Sequence, residues 1–591
     1  MKVVLSRAER VALLCVVVVA WYVSPFFTSS GAASEAWGFL HIWDDRENFV
    51  ENDVIQTRLT FQSVYAMFTL TKINVYEPFG WLLKLLVFQA VGLDSWSVRV
   101  VSVALHFTAG FVLAKTSALA LDIIEMLSSS NRPAPVDKEL SQRHFCGCCL
   151  SATIFLVHPI HVEVVAWPSA QPYTLCALFG NLALLTYLKV TARQMGMYIT
   201  GKMPSMFILV TFLAVTLVSN HQGTHRDVDV LSLSRTERSL KALTTPAWIL
   251  QRLLWPSKLR PHYQLHSEDL DLASPECQLS IATLLMILVV TLWLAQHRRA
   301  PQHFLALVFF LVMLLPVSGL IQHGMVSAGA NRYAYLCSVV AVPYGGYALA
   351  HWIFDSGVDR TSKFAGMASQ RSGQDDGPER NHPQHPQDTR EPSGVWSLAP
   401  SVTSRYLTTA LLLLTATLVS ISTDLIGHWR NEDAMYTYSL RMDPSDWRIL
   451  DQRAEYLMRS GRCSLDSTEC ERLWELSYVF APKDTLKSEL HRLKLIVCLG
   501  DLKRACDGYW KLLELHPDSC HVRNNVAVCL VDRGEISEAR QEFVRALQTP
   551  GYEYVHSYPK KNLRALDEWV TQKEAQRDTK GAPTFGGTIM F

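Results

Sequence analysis

Charge is scarce in this chain. Of its 591 residues only 18% are charged, and the formal net charge is +1, so there is no reason to look for a nucleic-acid partner. Cysteine and histidine show no zinc-ligand spacing, and Cys146-Gly147-Cys148-Cys149, which opens an apolar run, suits lipidation or packing better than metal. No Asn-x-Ser/Thr sequon occurs, so glycosylation mapping of topology needs introduced sites. No inverted internal repeat and no pair of Gly-broken apolar runs is present, which weakens a transporter reading.

What is abundant is apolar sequence in blocks. Hydrophobic residues make up 49% of the chain, and they gather in runs of about 17–23 residues, the length that spans hydrocarbon. Nine spans are expected, at Val11–Phe27, Ser97–Ala120, Phe145–Trp167, Tyr173–Lys189, Met206–Val218, Gln278–Ala295, Phe304–Ile321, Arg332–Ile353 and Tyr406–Leu425. With shorter runs counted the total is about nine to eleven. The first run follows Lys2, Arg7 and Arg10 and has the layout of a secretory leader; it reads as an uncleaved span because the later topology needs it. Phe79–Val91, carrying Lys84, is too short to span and suits an interfacial helix. Ala247–Trp255, closed by Pro256, reads as a half-helix or re-entrant piece.

The expected fold is therefore all-α. A membrane helix bundle occupies residues 1–428, with a disordered cytoplasmic linker at 355–401 that is too poor in apolar residues to bury a core. A soluble helical array follows at 429–550, then a polar, frayed end at 551–591. Lys and Arg of the short loops fall on one side if the amino terminus is cytoplasmic and the spans alternate. The opposite side then receives Asp44-Asp45, His158-Pro159-Ile160-His161-Val162-Glu163, Trp255-Pro256, Ala330-Asn331-Arg332-Tyr333 and the whole array.

The array carries a repeat. Gly500 and Gly534 are 34 residues apart, as are Ala505 and Ala539, Tyr509 and Phe543, and Leu512 and Ala546. This is the tetratricopeptide period, with small residues for close helix approach and an aromatic to fill the groove. Such solenoids usually bind extended peptide. A degenerate third unit surrounds Gly461. Six of the chain's thirteen cysteines lie here; in an oxidising lumen some of them pair, Cys463 and Cys470 being the nearest couple.

The acidic pair Asp44-Asp45, beside Trp43 and just past the first span, is the strongest functional candidate, because charge near a bilayer is costly and marks working sites. Read with Asn52, Tyr76-Glu77-Pro78, Leu93-Asp94 through His106, Phe155-Leu156-Val157-His158-Pro159-Ile160-His161-Val162-Glu163, Leu315-Pro316-Val317-Ser318 and Arg332-Tyr333-Ala334-Tyr335-Leu336, the chain resembles the transmembrane and tetratricopeptide-repeat-containing family of protein O-mannosyltransferases. The resemblance covers nearly the whole chain in order. It implies a C-type membrane glycosyltransferase of the endoplasmic reticulum that uses dolichyl-phosphate mannose as donor and modifies Ser or Thr of luminal or secreted polypeptide. Two positions depart from it: Gln171-Pro172-Tyr173 stands where many members carry Arg and an acid, and Asn331 where an acid precedes the Arg.

On that basis one of Asp44 and Asp45 is expected to act as general base toward the acceptor hydroxyl. The other orients it or helps to hold a divalent metal. Arg332 is the expected cation for the leaving phosphate, with His158 and His161 as further donor-phosphate contacts or structural groups, and Glu163 and Tyr335 in support. The alternatives are a catalytically degenerate scaffold whose repeats bind client proteins, and a related transferase with another polyprenyl-linked sugar.

Overall fold

The computed structural model describes residues 6–28, 36–69, 76–128, 138–193, 233–297, 300–320, 327–355, 402–464, 467–481, 486–549 and 556–575. Every regular element among them is helical. The first part of the chain gives α1 Arg7–Phe27, α2 Phe61–Thr69, α3 Pro78–Val91, α4 Ser95–Ser128, α5 Lys138–Leu156, α6 Val162–Ala166 and α7 Gln171–Arg193. It continues through α8 Arg235–Leu254, α9 Pro275–His297, α10 Pro301–Leu314, α11 Ala334–Cys337, α12 Ala341–Asp355 and α13 Val402–His428.

Six of the described helices are long and apolar enough to cross a membrane, at Ala8–Phe27, Ser95–Met126, Pro168–Val190, Glu268–His297, Asn331–Ile353 and Thr408–His428. They carry the first, second, fourth, sixth, eighth and ninth expected spans. The seventh falls on a shorter apolar helix, Pro301–Val317. The fifth, Met206–Val218, and the 356–401 part of the linker lie outside the described residues.

The third expected span is not one rod. It bends by 61° between Lys138–Leu156 and Pro159–Ala166. His158, preceding Pro159, is extended (φ −69°, ψ 131°), the conformation that a following proline enforces, and its Nδ1 accepts the N–H of Ile160. Residues 159–167, beyond the bend, are buried, Val162, Val164, Val165 and Ala166 fully so.

Close contact between α5 and α12 rests on glycine. A Cβ on Gly147 would sit 2.2 Å from the carbonyl oxygen of Gly346, so only hydrogen fits there, as is usual where apolar helices approach closely. The half-helix expected at Ala247–Trp255 belongs to a longer element. α8 starts at Ser234, whose side chain accepts from Glu237 N while Glu237 reaches back to Ser234 N, a capping box.

After the last apolar helix come α14 Glu432–Met442, α15 Trp447–Arg459, α16 Ser467–Phe480, α17 Leu486–Cys498, α18 Leu502–Leu515, α19 Cys520–Asp532, α20 Ile536–Gln548 and α21 Ser557–Ala575, each packed on the next. Residues that share the 34-residue offset play the same part. Gly500 and Gly534 end their helices at φ +85° and +79°, where glycine alone is unstrained. Ala505 and Ala539, and Tyr509 and Phe543, are fully buried. Disulfides join Cys463 to Cys470 and Cys506 to Cys529.

The polar end is not frayed where it is described. α21 packs on α19 and α20, puts Leu563, Leu566 and Trp569 into the array's core, and bonds Asn562 to Asn524. The spacing of those three apolar residues gives a helix face that the surrounding polar sequence hides.

Candidate functional site

The acidic segment is a wide helical turn, His41–Val50, broken at its start: Trp43 has φ −111° and ψ 50°, and Asp44 has φ +68°. A non-glycine residue in the left-handed region is strained, although aspartate tolerates it better than most. The turn separates the two carboxylates. Asp44 points outward and is exposed, whereas Asp45 is completely buried.

Asp45 is held by three donors: Leu40 N at 2.9 Å, Ser169 N at 3.1 Å and the Ser169 hydroxyl at 2.5 Å. Burial pushes its carboxyl up to about 6, against the pull of the nearby Arg99 charge and the Ser169 and Leu40 bonds. Asp44 is steadied through its backbone. Its carbonyl accepts from Asn48 Nδ2 at 3.0 Å, Asn48 Oδ1 accepts from Lys84 Nζ at 2.6 Å, and Lys84 pairs with Glu77 at 2.6 Å. The Tyr76-Glu77-Pro78 motif thus reaches the acidic turn through a fully buried lysine that lies 4.1 Å from the Trp81 ring.

Arg332 sits across the same end of the bundle. It pairs with Glu163 at 2.5 Å, and its guanidinium carbon lies 5.2 Å from the Trp167 ring and 5.1 Å from the Tyr333 ring. Trp167 in turn donates its indole N–H to the Trp43 carbonyl at 3.0 Å. Residues 163–169, the far arm of the bent span and the turn after it, therefore form a bridge. Glu163 and Trp167 hold Arg332; Trp167 and Ser169 hold Trp43 and Asp45.

Arg99 ties this bridge to the rest of the bundle. Its fully buried guanidinium donates to the carbonyls of Ala166 (2.7 Å), Gly38 (2.9 Å), Trp429 (3.2 Å) and Ser95 (3.2 Å) and to the Ser95 hydroxyl (3.0 Å). The array joins at the same place: Glu432 accepts from Ile42 N at 2.7 Å, Arg260 pairs with Asp443 at 2.7 Å, and His262 with Asp446 at 2.9 Å. Burial raises Glu432 to about 7, and burial with the Asp44 charge raises Glu47 to about 7.

The remaining sequence candidates are engaged inside the bundle. His158 Nε2 lies 3.0 Å from the Leu253 carbonyl, and its Nδ1 takes Ile160 N–H. His161 Nδ1 lies 2.7 Å from the Phe155 carbonyl and its Nε2 3.2 Å from the Ser338 hydroxyl. Both histidines are buried with all their ring nitrogens occupied, which favours the structural of their two expected roles. Tyr335 is also buried, its hydroxyl 2.7 Å from His106 Nδ1. Glu163 is held by the Arg332 guanidinium and by the backbone N–H groups of Asn331 and Arg332.

Asn331 and Gln171 are buried amides. Asn331 accepts from Tyr263 at 2.8 Å and donates to the Arg260 carbonyl at 3.0 Å; Gln171 donates to the Val98 carbonyl at 3.0 Å. Among the described residues no group of three or more His, Cys, Asp or Glu is placed to hold a metal ion.

Sequence reading missed Trp167 as a bridge, Ser169, Arg99 and Lys84. Arg99 had a signal: a charged residue inside an apolar run is costly unless fully bonded. Ser169 had none beyond its place in the turn between two spans. No family model, curated protein or solved structure matches the chain.

Proposed function

We propose that this protein is a polyprenyl-phosphate-sugar-dependent O-mannosyltransferase of the endoplasmic reticulum membrane, resembling the transmembrane and tetratricopeptide-repeat-containing family, with a luminal repeat array that presents the polypeptide acceptor. The observation that supports this reading is the bridge at 163–169, which touches Arg332 through Glu163 and Trp167 and touches Trp43 and Asp45, the neighbours of the exposed Asp44, through Trp167 and Ser169.

In this reading Asp44 is the base. Its carboxylate takes the proton of a Ser or Thr hydroxyl as that oxygen attacks the sugar carbon of dolichyl-phosphate mannose. The bond from the sugar to the phosphate oxygen breaks, the donor leaves as the polyprenyl phosphate, and the sugar carbon inverts in a single displacement. Phosphate leaves as an anion and needs no acid; Arg332, fixed by Glu163 and Trp167, offers the charge that stabilises it. Asp45 orients the turn and does not touch the substrate. The bonding of His158 and His161 leaves them outside the donor contacts in this scheme.

Labelled dolichyl-phosphate mannose supplied to microsomes tests the reading. Wild type should transfer label to protein, and Asp44→Asn should not. Absence of transfer by wild type, with the protein folded and inserted, removes it. A non-catalytic scaffold is the second reading, favoured by one observation: Arg332 is already neutralised by Glu163.

A further inference from the structure

The acidic turn is gripped from the far end of the chain. Arg46, next to Asp45, donates from Nη1 to the Tyr558 hydroxyl at 2.6 Å, and its guanidinium carbon lies 5.1 Å from the Tyr558 ring. The same hydroxyl accepts from Arg459 Nη2 of α15 at 2.9 Å. Glu51, at the end of the turn, accepts from Arg46 at 3.0 Å and from Lys561 at 2.9 Å. Tyr558 and Lys561 both belong to α21, the last described helix, more than 500 residues away in sequence. At its other end the array holds the turn through Glu432 to Ile42 N and Arg430 O to Gly38 N.

We infer that the array closes on the acidic turn as a ring, and that Tyr558 and Lys561 are positioning residues which set the turn's geometry, so that the polypeptide held by the array and the base it must reach are mechanically coupled. Two guanidiniums meet on one phenol oxygen, an arrangement that repels unless the oxygen and neighbouring carboxylates offset it. Loss of Tyr558 removes the acceptor they share, and Arg46 then has only Glu51 to hold it. The turn already carries strain at Asp44, so its shape depends on contacts that over-determine it. α21 supplies several of them. The coupling to catalysis rests on the proposed function; the mechanical link does not.

Hydrogen exchange of the full chain in detergent micelles separates the two. With Tyr558→Phe or Lys561→Glu, backbone amides of residues 38–52 should exchange roughly five- to tenfold faster, the loss of one or two charge-assisted bonds. Amides of residues 520–548 should be unchanged, showing that the array is folded. Lys561→Arg, which keeps a cation beside Glu51, should leave protection near that of wild type. Unchanged exchange at 38–52 in both single variants overturns the inference. Where wild type transfers sugar, Tyr558→Phe should lower kcat with the acceptor KM kept; a change in KM alone would assign α21 to acceptor binding and overturn the positioning role. Should wild type not transfer at all, the enzyme reading falls while the exchange result still decides the mechanical link.

Discussion

Ser169 meets Asp45 twice, through its backbone N–H at 3.1 Å and its hydroxyl at 2.5 Å, and with the Trp167 bond to the Trp43 carbonyl this doubled contact fastens the acidic turn to residues 163–169. It divides the labour of two adjacent carboxylates. Asp45 is buried among these donors, whereas Asp44 is exposed on a left-handed backbone; the proposed function gives the chemistry to Asp44.

That division is separable by substitution. Asp44→Gly relieves the positive φ and should be at least as stable as wild type, yet transfer should fall by roughly 10²–10⁴-fold with the base gone. Asp45→Asn keeps the shape but exchanges one acceptor oxygen for a donor facing donors, and should cost about 1–3 kcal/mol. Thermal unfolding in micelles beside a transfer assay distinguishes the two patterns.

Arg332 and Glu163 should behave as one unit. Truncating either leaves its partner uncompensated, at a cost of about 3 kcal/mol, the low end for a buried pair because Arg332 is partly exposed. A double-mutant cycle with Glu163→Gln and Arg332→Gln checks this. Additive effects would mean that the pair is not coupled.

Arg99→Ala should be the most damaging single change in the bundle. It leaves carbonyls from three other segments, at Gly38, Ala166 and Trp429, without this donor, and unmade bonds of this kind cost about 1–3 kcal/mol each. The variant should fail to accumulate in cells, while Arg99→Lys, which keeps a charge but cannot reach all the acceptors, should accumulate at a reduced level.

These contacts show which parts of the molecule its sequence discloses. Apolar runs of bilayer length are legible because hydrocarbon thickness sets their size, and the array is legible because Gly500 and Gly534 must each end a helix in a conformation that few other residues adopt. The acidic turn is legible because carboxylates near a membrane are unusual. What joins these parts is not. Arg99 satisfies backbone carbonyls, which no residue pattern announces, and Tyr558 bonds an arginine 512 positions away. The break at His158-Pro159 was written in the proline, but an unbroken span was the simpler reading of an apolar run.

The acidic cluster should respond to pH. Glu47 and Glu432 rise from 4.5 to about 7, and Asp45 from 3.8 to about 6, burial being the largest cause for each. A carboxyl whose folded value is raised favours folding most when protonated, so that contribution is complete below about pH 4 and is lost as pH climbs through 6 to 7. Protection of residues 38–52, corrected for intrinsic exchange rates, should be greater at pH 5.5 than at pH 8. The opposite trend would mean that these groups are ionised and well paired in the folded protein.

The central claim, that Asp44 and Arg332 face one lipid-linked donor across the bridge at 163–169, is tested most directly by photolabelling the full-length protein with a photoactivatable polyprenyl phosphate and mapping the adducts. The account predicts labelled peptides from both the 41–50 turn and the 331–336 segment, with labelling of both weakened by Arg332→Gln. Label confined to other parts of the bundle, or to one of these segments with no effect of Arg332→Gln, would contradict it.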